Sequence, residues 1–438
     1  MPVNLELAAP VAVAGVQLAS VAAGVKRDGS DDLLLIALSA ESTCAAVFTQ
    51  SAFAAAPVTV ARDHLARSAG GVRALLVNAG NANAGTGEPG IVMARGHCAA
   101  VAEALDLSSE SVLPFSTGVI GQLLPDDAMR TGIAAAARAL RANSVTPAPA
   151  PAPADADADA RHATGMNSPV TTDIGDWRRA ASAIMTTDTV PKLTSRTVTL
   201  GGGEVVTLTG MAKGAGMIEP HMATMLAYVF TDARIEQTCL QRALEAGVTG
   251  SFNAITVDGD TSTNDACVLC ATACGASLST NNQADWATFT DALDALLRDL
   301  SHAIVRDAEG ATKFITVRVA GGRDRDECRR VGYAIANSPL VKTAMFASDA
   351  NVGRLLMAIG KAGIEGLDAN AVRVSLGDVL AFEQGGIAAG YNEEAGAAVM
   401  AEPEILVAID LGRGDATTEV FTSDLSHAYV SINADYRS

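Results

Sequence analysis

EVVTLTGMAKGAGMIEPHMATMLAYVFTD, residues 204–232, consists of two apolar runs joined by a glycine-bearing loop. EVVTLTG (204–210) and TMLAYVFTD (224–232) carry the β-branched and aromatic residues that suit a pleated, buried backbone, and they read as strands flanking the loop. Gly214 and Gly216 permit positive φ and a tight bend, while Pro220 stiffens the approach to the second run. Lys213, one of six lysines in the chain, stands where the loop begins. Thr224 stands where it ends, so the layout delivers a hydroxyl to the mouth of an apolar strand.

Outward from this segment, LLLIALS (33–39), CAAVFTQ (44–50), VRALLVN (72–78) and SVLPF (111–115) also read as strands. Helical periodicity covers 91–105 and 127–143. The helix at 235–249 places Ile235, Cys239, Leu240, Ala243, Leu244 and Val248 on one face, and that at 286–305 turns Trp286, Phe289, Leu293, Leu296, Leu297, Leu300 and Ile304 inward. The last third adds a helix at NVGRLLMAIG (351–360) and strands near VRVSL, EILVAID and AYVSINA (428–434). Strands and helices interleave without a regular βαβ period, which predicts a layered α/β (α+β) double-sheet sandwich rather than a doubly wound sheet. The Pro-Ala-Asp alternation at 146–160 cannot build a core and is expected to be an exposed spacer.

The 438 residues suffice for two or three domains or one large core with lobes. A net charge of −18 argues against nucleic-acid partners, which need clustered Lys and Arg. Seven irregularly spaced cysteines suit reduced thiols and a cytoplasmic location better than a disulfide framework. The uncharged run at 7–25 is interrupted by Pro10, Gly15 and Gly24 and follows Glu6, so neither a leader nor a membrane span is expected.

Several motifs fail on inspection. GTGEPG gives Gly85, Gly87 and Gly90 in dinucleotide spacing, yet NAGNANA separates it from the strand and the next strand lacks the acidic ribose partner. DGDTSTND (258–265) has calcium-loop spacing but Thr263 and Leu269 replace the required Gly and Glu; a hydrogen-bonded turn with Asx capping explains it. Cys267, Cys270 and Cys274 have apolar neighbours and no fourth ligand nearby, so buried thiols are expected and no metal. AKGAGM lacks the spacing of a phosphate-binding loop, and no cofactor is expected.

A threonine hydroxyl needs a base before it attacks carbonyl carbon. No Ser-His-Asp pattern surrounds Thr224, and His221 alone suits structure as well as chemistry. Scission of the Ala223–Thr224 bond would make the threonine's own α-amine the base, at an ordinary pKa of about 7.7–8.0. Small Ala223 leaves its carbonyl accessible to the hydroxyl, and loop strain would favour an N-to-O acyl shift followed by hydrolysis. Spacing alone leaves open a purely structural threonine at a strand start.

KGAGMIEPHMATML closely resembles the self-processing segment of the ornithine acetyltransferases, also called bifunctional glutamate N-acetyltransferases, of arginine biosynthesis. VNAGNANAGTG, PFSTGVIG, AIMTTDTVPK, SFNAITVDGDTSTND, EGATKF, SDANVGR and INADYRS resemble further blocks of that family in the same order, from about residue 78 onward. AGVKRDGSDDLLLI is similar too. The resemblance implies cleavage between Ala223 and Thr224 into chains 1–223 and 224–438 that stay together, usually as an α2β2 heterotetramer. It implies a double-sheet fold akin to N-terminal nucleophile hydrolases. It also implies ping-pong transfer, with Thr224 taking acetyl from N-acetyl-L-ornithine and giving it to L-glutamate; some members also use acetyl-CoA. Thr117 and Gly118 match the oxyanion pair, and Thr187, Lys213, Thr224, Glu309, Asn433 and Ser438 match substrate-binding positions. A Lys/Glu pair suits a zwitterionic amino acid. The chain departs from the family at the 146–160 insert, at Val352 where a tryptophan is expected, and at Ser438 where many members carry Thr. The competing readings are a Thr-nucleophile amidohydrolase or aminopeptidase, with water as acceptor, and a non-catalytic amino-acid-binding protein.

Overall fold

The runs on either side of the quoted loop pair with each other. In the computed structural model, which describes residues 1–143, 172–219 and 225–435, two sheets form the body of the fold. The first has the order β1-β2-β4-β5 and comprises β1 (Val16–Val21), β2 (Leu33–Leu38), β4 (Ala74–Asn81) and β5 (Val112–Val119). The second has the order β3-β10-β8-β7-β6. Its strands are β3 (Thr43–Phe48), β6 (Lys192–Thr199), β7 (Val205–Lys213), β8 (Leu226–Thr231) and β10 (Ala266–Ala271). Here β7 runs antiparallel to β8 with Lys213 opposite Leu226, and β10 runs parallel to β8.

Strands such as β2, β4, β8 and β10 are buried on both faces, which is why they consist of near-continuous apolar runs rather than alternating ones. Successive residues point to opposite faces. Leu34, Ile36, Leu75, Val77, Leu113 and Phe115 of the first sheet meet Met211, Tyr228, Phe230, Val268 and Cys270 of the second in one core. Phe115 and Tyr228 touch edge to face with ring centroids 5.3 Å apart, a geometry worth about 0.5–1.5 kcal/mol beyond burial alone. Helices α1 (Ala56–Arg67) and α4 (Ile174–Ala183) also contribute to this core.

The outer face of the first sheet is covered by α2 (Gly87–Leu105) and α3 (Asp126–Asn143). The outer face of the second is covered by α5 (Gln237–Thr249) and α6 (Gln283–Arg306). Helices, sheet, sheet and helices thus stack as four layers, the expected double-sheet sandwich. A two-stranded piece, β9 (Arg234–Ile235) with β11 (Ser277–Leu278), lies beside it.

A third sheet has the order β15-β14-β13-β16-β12-β17. It contains β12 (Phe314–Gly322), β13 (Arg373–Leu376), β14 (Val379–Glu383), β15 (Gly386–Ile387), β16 (Glu404–Asp410) and β17 (Ala416–Ser423). Its core includes residues of α7 (Arg325–Ala336), α8 (Pro339–Phe346), α9 (Val352–Gly360) and α10 (Glu393–Ala401). Phe314 and Phe421 extend from this sheet into the core beneath α6.

Three expectations change. AYVSINA is not a strand but lies in α11 (His427–Asp435). Ser426 Oγ accepts from Ala428 N, and Asn433 Nδ2 donates to Tyr429 O one turn back, so local bonds serve the backbone where no strand offers a ladder. Ile235 belongs to β9, because Glu236 caps α5 by accepting from Thr238 N. Cys267 and Cys270 are buried, but Cys274 is exposed, beyond the end of β10. Val352 is buried in the third core, so an aliphatic side chain fills that position. The 146–160 insert lies outside the described residues.

Candidate active site

The ends of β4 and β5 in the first sheet face the β7–β8 end of the second, and a cavity of about 280 Å³ opens between them. Thr117, Gly118, Thr187, Lys213, Glu309 and Asn433, six of the positions singled out from sequence, all line it. Three that were singled out, Ala223, Thr224 and Ser438, lie outside the described residues. Met225, the residue after Thr224 in the chain, lines the cavity, and its carbonyl accepts from Ala266 N at 3.0 Å.

The oxyanion candidates sit on a backbone that only glycine can make. Gly118 has φ +130°, and a Cβ there would lie 2.3 Å from the carbonyl carbon of Gly80. The ladder between β4 and β5 shifts register at this point, between Gly80 and Asn81. Bulges of this kind turn a strand end away from the regular ladder. Asn264, in the DGDTSTND turn, donates from Nδ2 to Ala82 O at 2.6 Å and Ser116 O at 2.9 Å. One buried amide therefore fastens the second sheet to the strand ends of the first.

Lys213 ends β7 inside the site, and its Nζ donates to Thr117 Oγ1 at 3.2 Å. Burial pulls its pKa below the usual lysine value, Asp188 opposes that, Lys192 adds to it, and Asp265 and Glu309 favour the ammonium. Glu309 reaches in from the turn after α6. Its carboxylate accepts from Asn433 Nδ2 at 2.7 Å. Gly216 makes room for it, since a Cβ at Gly216 would stand 2.4 Å from Glu309 Oε2. A cation and an anion thus face one amino-acid-sized space.

Behind Lys213 lies a buried charge cluster. Lys192 Nζ donates to Asp188 Oδ1 at 2.6 Å and Asp307 Oδ2 at 2.7 Å, with the three side chains 0%, 0% and 1% exposed. Asp188 also accepts from Gly214 N at 2.7 Å, and Asp307 accepts from Thr189 N at 3.0 Å. Burial disfavours the Asp188 carboxylate, but Lys192, Lys213 and the Gly214 N–H outweigh it and hold its pKa below the usual carboxylate range. The cluster ties the Thr186–Thr189 turn to the base of the quoted loop. Lys192→Met leaves two carboxylates buried without their cation and is expected to cost about 3–5 kcal/mol. Urea titration of the folded chain measures this, and a loss below about 1 kcal/mol would contradict the role assigned to the cluster.

Asp188, Thr186, Ser262, Asn264 and Asp265 belong to this site or its support and were not singled out from sequence. All but Asp188 line the cavity. The signals lay in AIMTTDTVPK and SFNAITVDGDTSTND, blocks that carried the resemblance without individual roles. Ser262 and Asn264 stand out in the sequence only as calcium-loop positions of DGDTSTND. Among the described residues, no group of three or more His, Cys, Asp or Glu is arranged to hold a metal ion, and no helix is long and apolar enough to cross a membrane.

Two face-packed mixed sheets, with Lys213 from a strand end and Glu309 from the turn after α6 lining one cavity between them, define an α/β sandwich with a small polar site. Residues 17–438 match the family model described as "ArgJ family". The arginine biosynthesis bifunctional proteins ArgJ of Methylococcus capsulatus and Neisseria meningitidis serogroup A are each 49% identical to this chain, over 97% of it and 96% of their own lengths. The crystal structure of arginine biosynthesis bifunctional protein argJ from Bacillus halodurans is 39% identical, covering 49% of this chain and 100% of that one, with a TM-score of 0.45. The chain belongs to the ArgJ family, and it is an acyltransferase of arginine biosynthesis.

Proposed function

We propose that the chain cuts itself between Ala223 and Thr224, and that Thr224 then shuttles acetyl from N-acetyl-L-ornithine to L-glutamate. The observation that carries this reading is the convergence of Thr117, Gly118, Lys213, Glu309 and Asn433 on the cavity bordered by Met225. In the first half-reaction the α-amine of Thr224 takes the hydroxyl proton as Oγ attacks the acetyl carbonyl. The Thr117–Gly118 turn receives the oxyanion. The C–N bond breaks, the proton passes to the leaving amine, ornithine departs and an acetyl ester remains on Oγ. Glutamate's amine then attacks that ester and regenerates the hydroxyl. Lys213 meets a substrate carboxylate and Glu309 an ammonium.

Cleavage at this bond would leave chains 1–223 and 224–438 interlocked. In the second sheet β3, β6 and β7 come from the first and β8 and β10 from the second, in the order β3-β10-β8-β7-β6. Separation would break the β7–β8 and β3–β10 ladders and open two cores. The two chains therefore stay together, and we assign the assembly as two of each. The site is placed in the cytoplasm, where the biosynthetic substrates and reduced thiols coincide.

An acetyl-labelled donor incubated with and without glutamate tests the transfer. Label moving to glutamate supports it; free acetate as the main product in both tubes makes the chain an amidohydrolase instead. Supplying acetyl-CoA and N-acetylornithine side by side shows whether the acyl-enzyme also forms from the thioester. Lys213→Met or Glu309→Gln removes one charge-assisted contact, and kcat/KM is expected to fall roughly 10- to 100-fold while cleavage persists. Uncut variants would instead make these residues part of the processing machinery.

A further inference from the structure

DGDTSTND lacks the ligands of a calcium loop, and its first aspartate bonds well beyond its own turn. Asp258 Oδ2 accepts from Met217 N at 2.7 Å and Oδ1 from Ile218 N at 2.8 Å, forty residues earlier in the chain. Tyr429 of α11 donates its hydroxyl to Oδ2 at 3.1 Å. The neighbouring backbone continues the grip. Val257 N donates to Ile218 O at 2.7 Å and Glu219 N to Asp260 O at 3.1 Å. Thr256 Oγ1 donates to Ile218 O at 3.0 Å, and Asn337 donates to the Glu219 carboxylate.

Two features make this more than an ordinary turn. Met217 has φ +55°, a left-handed conformation that a side chain disfavours, so the surrounding bonds must hold it there. The turn also stands between Lys213 and Gly216, which shape the substrate cavity, and the proposed scissile bond five residues after Glu219. Helix α11 touches both ends of the problem. Its Asn433 bonds Glu309 inside the site while its Tyr429 bonds Asp258 behind the loop.

We infer that Asp258 is a positioning residue for the chain's own cleavage, its carboxylate fixing the Met217–Glu219 turn from which the chain runs on to the proposed scissile bond. This rests on the self-cleavage proposed above. A carboxylate offers acceptors to both N–H groups and to Tyr429 together. The amide of Asp258→Asn loses one acceptor and turns a donor toward a donor. Misplacing a reacting bond by about an ångström costs up to roughly a hundredfold in rate.

The test follows conversion of the newly synthesised full chain on denaturing gels. Asp258→Asn is expected to slow conversion at least about tenfold, with Asp258→Glu, which restores the carboxylate, recovering most of that loss. Thermal unfolding of Asp258→Asn in the uncleavable Thr224→Ala chain reports its effect on the fold alone, and Tm is expected to shift by only a few degrees. Conversion of Asp258→Asn at the wild-type rate overturns the inference. So does a slowing that Glu does not rescue and that comes with a large fall in Tm, because that is the behaviour of a general structural brace. A wild-type chain that never converts defeats the self-cleavage reading itself, a result distinguishable from either.

Discussion

A Thr224→Ala chain is expected to run as one 44.5 kDa band and to transfer acetyl no faster than background. Both effects have one cause. In the proposed mechanism the hydroxyl that attacks the Ala223 carbonyl during cleavage is the same atom that later carries the acetyl group, and the amine that activates it exists only after the cut. Removing a nucleophile from such a unit costs on the order of 10⁵- to 10⁶-fold in kcat, because binding and oxyanion contacts alone give little turnover. Thr224→Ser keeps the hydroxyl and the amine and is expected to retain part of each step. The checks are a denaturing gel and a labelled-acetyl assay on the same preparation. Wild-type transfer by Thr224→Ala would remove Thr224 from the mechanism.

The second large effect is expected from Gly118→Ala. With φ at +130°, alanine is disfavoured, and its Cβ would lie 2.3 Å from Gly80 C and 2.5 Å from Asn81 N. Those atoms belong to the adjoining strand, so the turn must open rather than a side chain rotate away. Opening it would shift the N–H donors that we propose receive the developing oxyanion. Loss of one such donor typically lowers kcat by roughly 100- to 1,000-fold. Gly121→Ala, three residues on, is the control: it has φ +87° but open space around its Cβ position, so it carries backbone strain without the clash. Steady-state kinetics on both variants, with Tm measured alongside, should show a large kcat loss for Gly118→Ala and a small one for Gly121→Ala. Equal losses would mean that strain, not the oxyanion turn, sets the rate.

The strands around the quoted loop were legible because both faces of β7 and β8 are buried, which writes near-continuous apolar sequence. β6, KLTSRTVT, has no such signature and was not anticipated. Its Lys192 and Thr194 are fully buried, and only Asp188, four residues back, and the distant Asp307 explain how a lysine survives there. AYVSINA misled for the opposite reason. Its β-branched residues alternate as in a strand, yet Val430 and Ile432 are exposed, so no packing enforces a strand.

At the site, Lys213, Thr117, Gly118, Glu309 and Asn433 stood out because each matches a position to which the family resemblance attaches a role. Asp188, Asn264 and Asp258 lie in such blocks too but carried no role there, and for Asn264 and Asp258 the meaning lies in partners far along the chain. Asn264 bonds residues more than a hundred positions away in the other sheet, and Asp258 bonds a loop forty residues upstream. Local spacing carries no trace of such contacts.

The central claim is tested most directly by intact-mass spectrometry of active, purified protein under denaturing conditions. Two polypeptides, residues 1–223 and residues 224–438 beginning with threonine, are expected, their masses summing to the uncut chain plus one water. A single continuous chain of full mass in a preparation that transfers acetyl would contradict it.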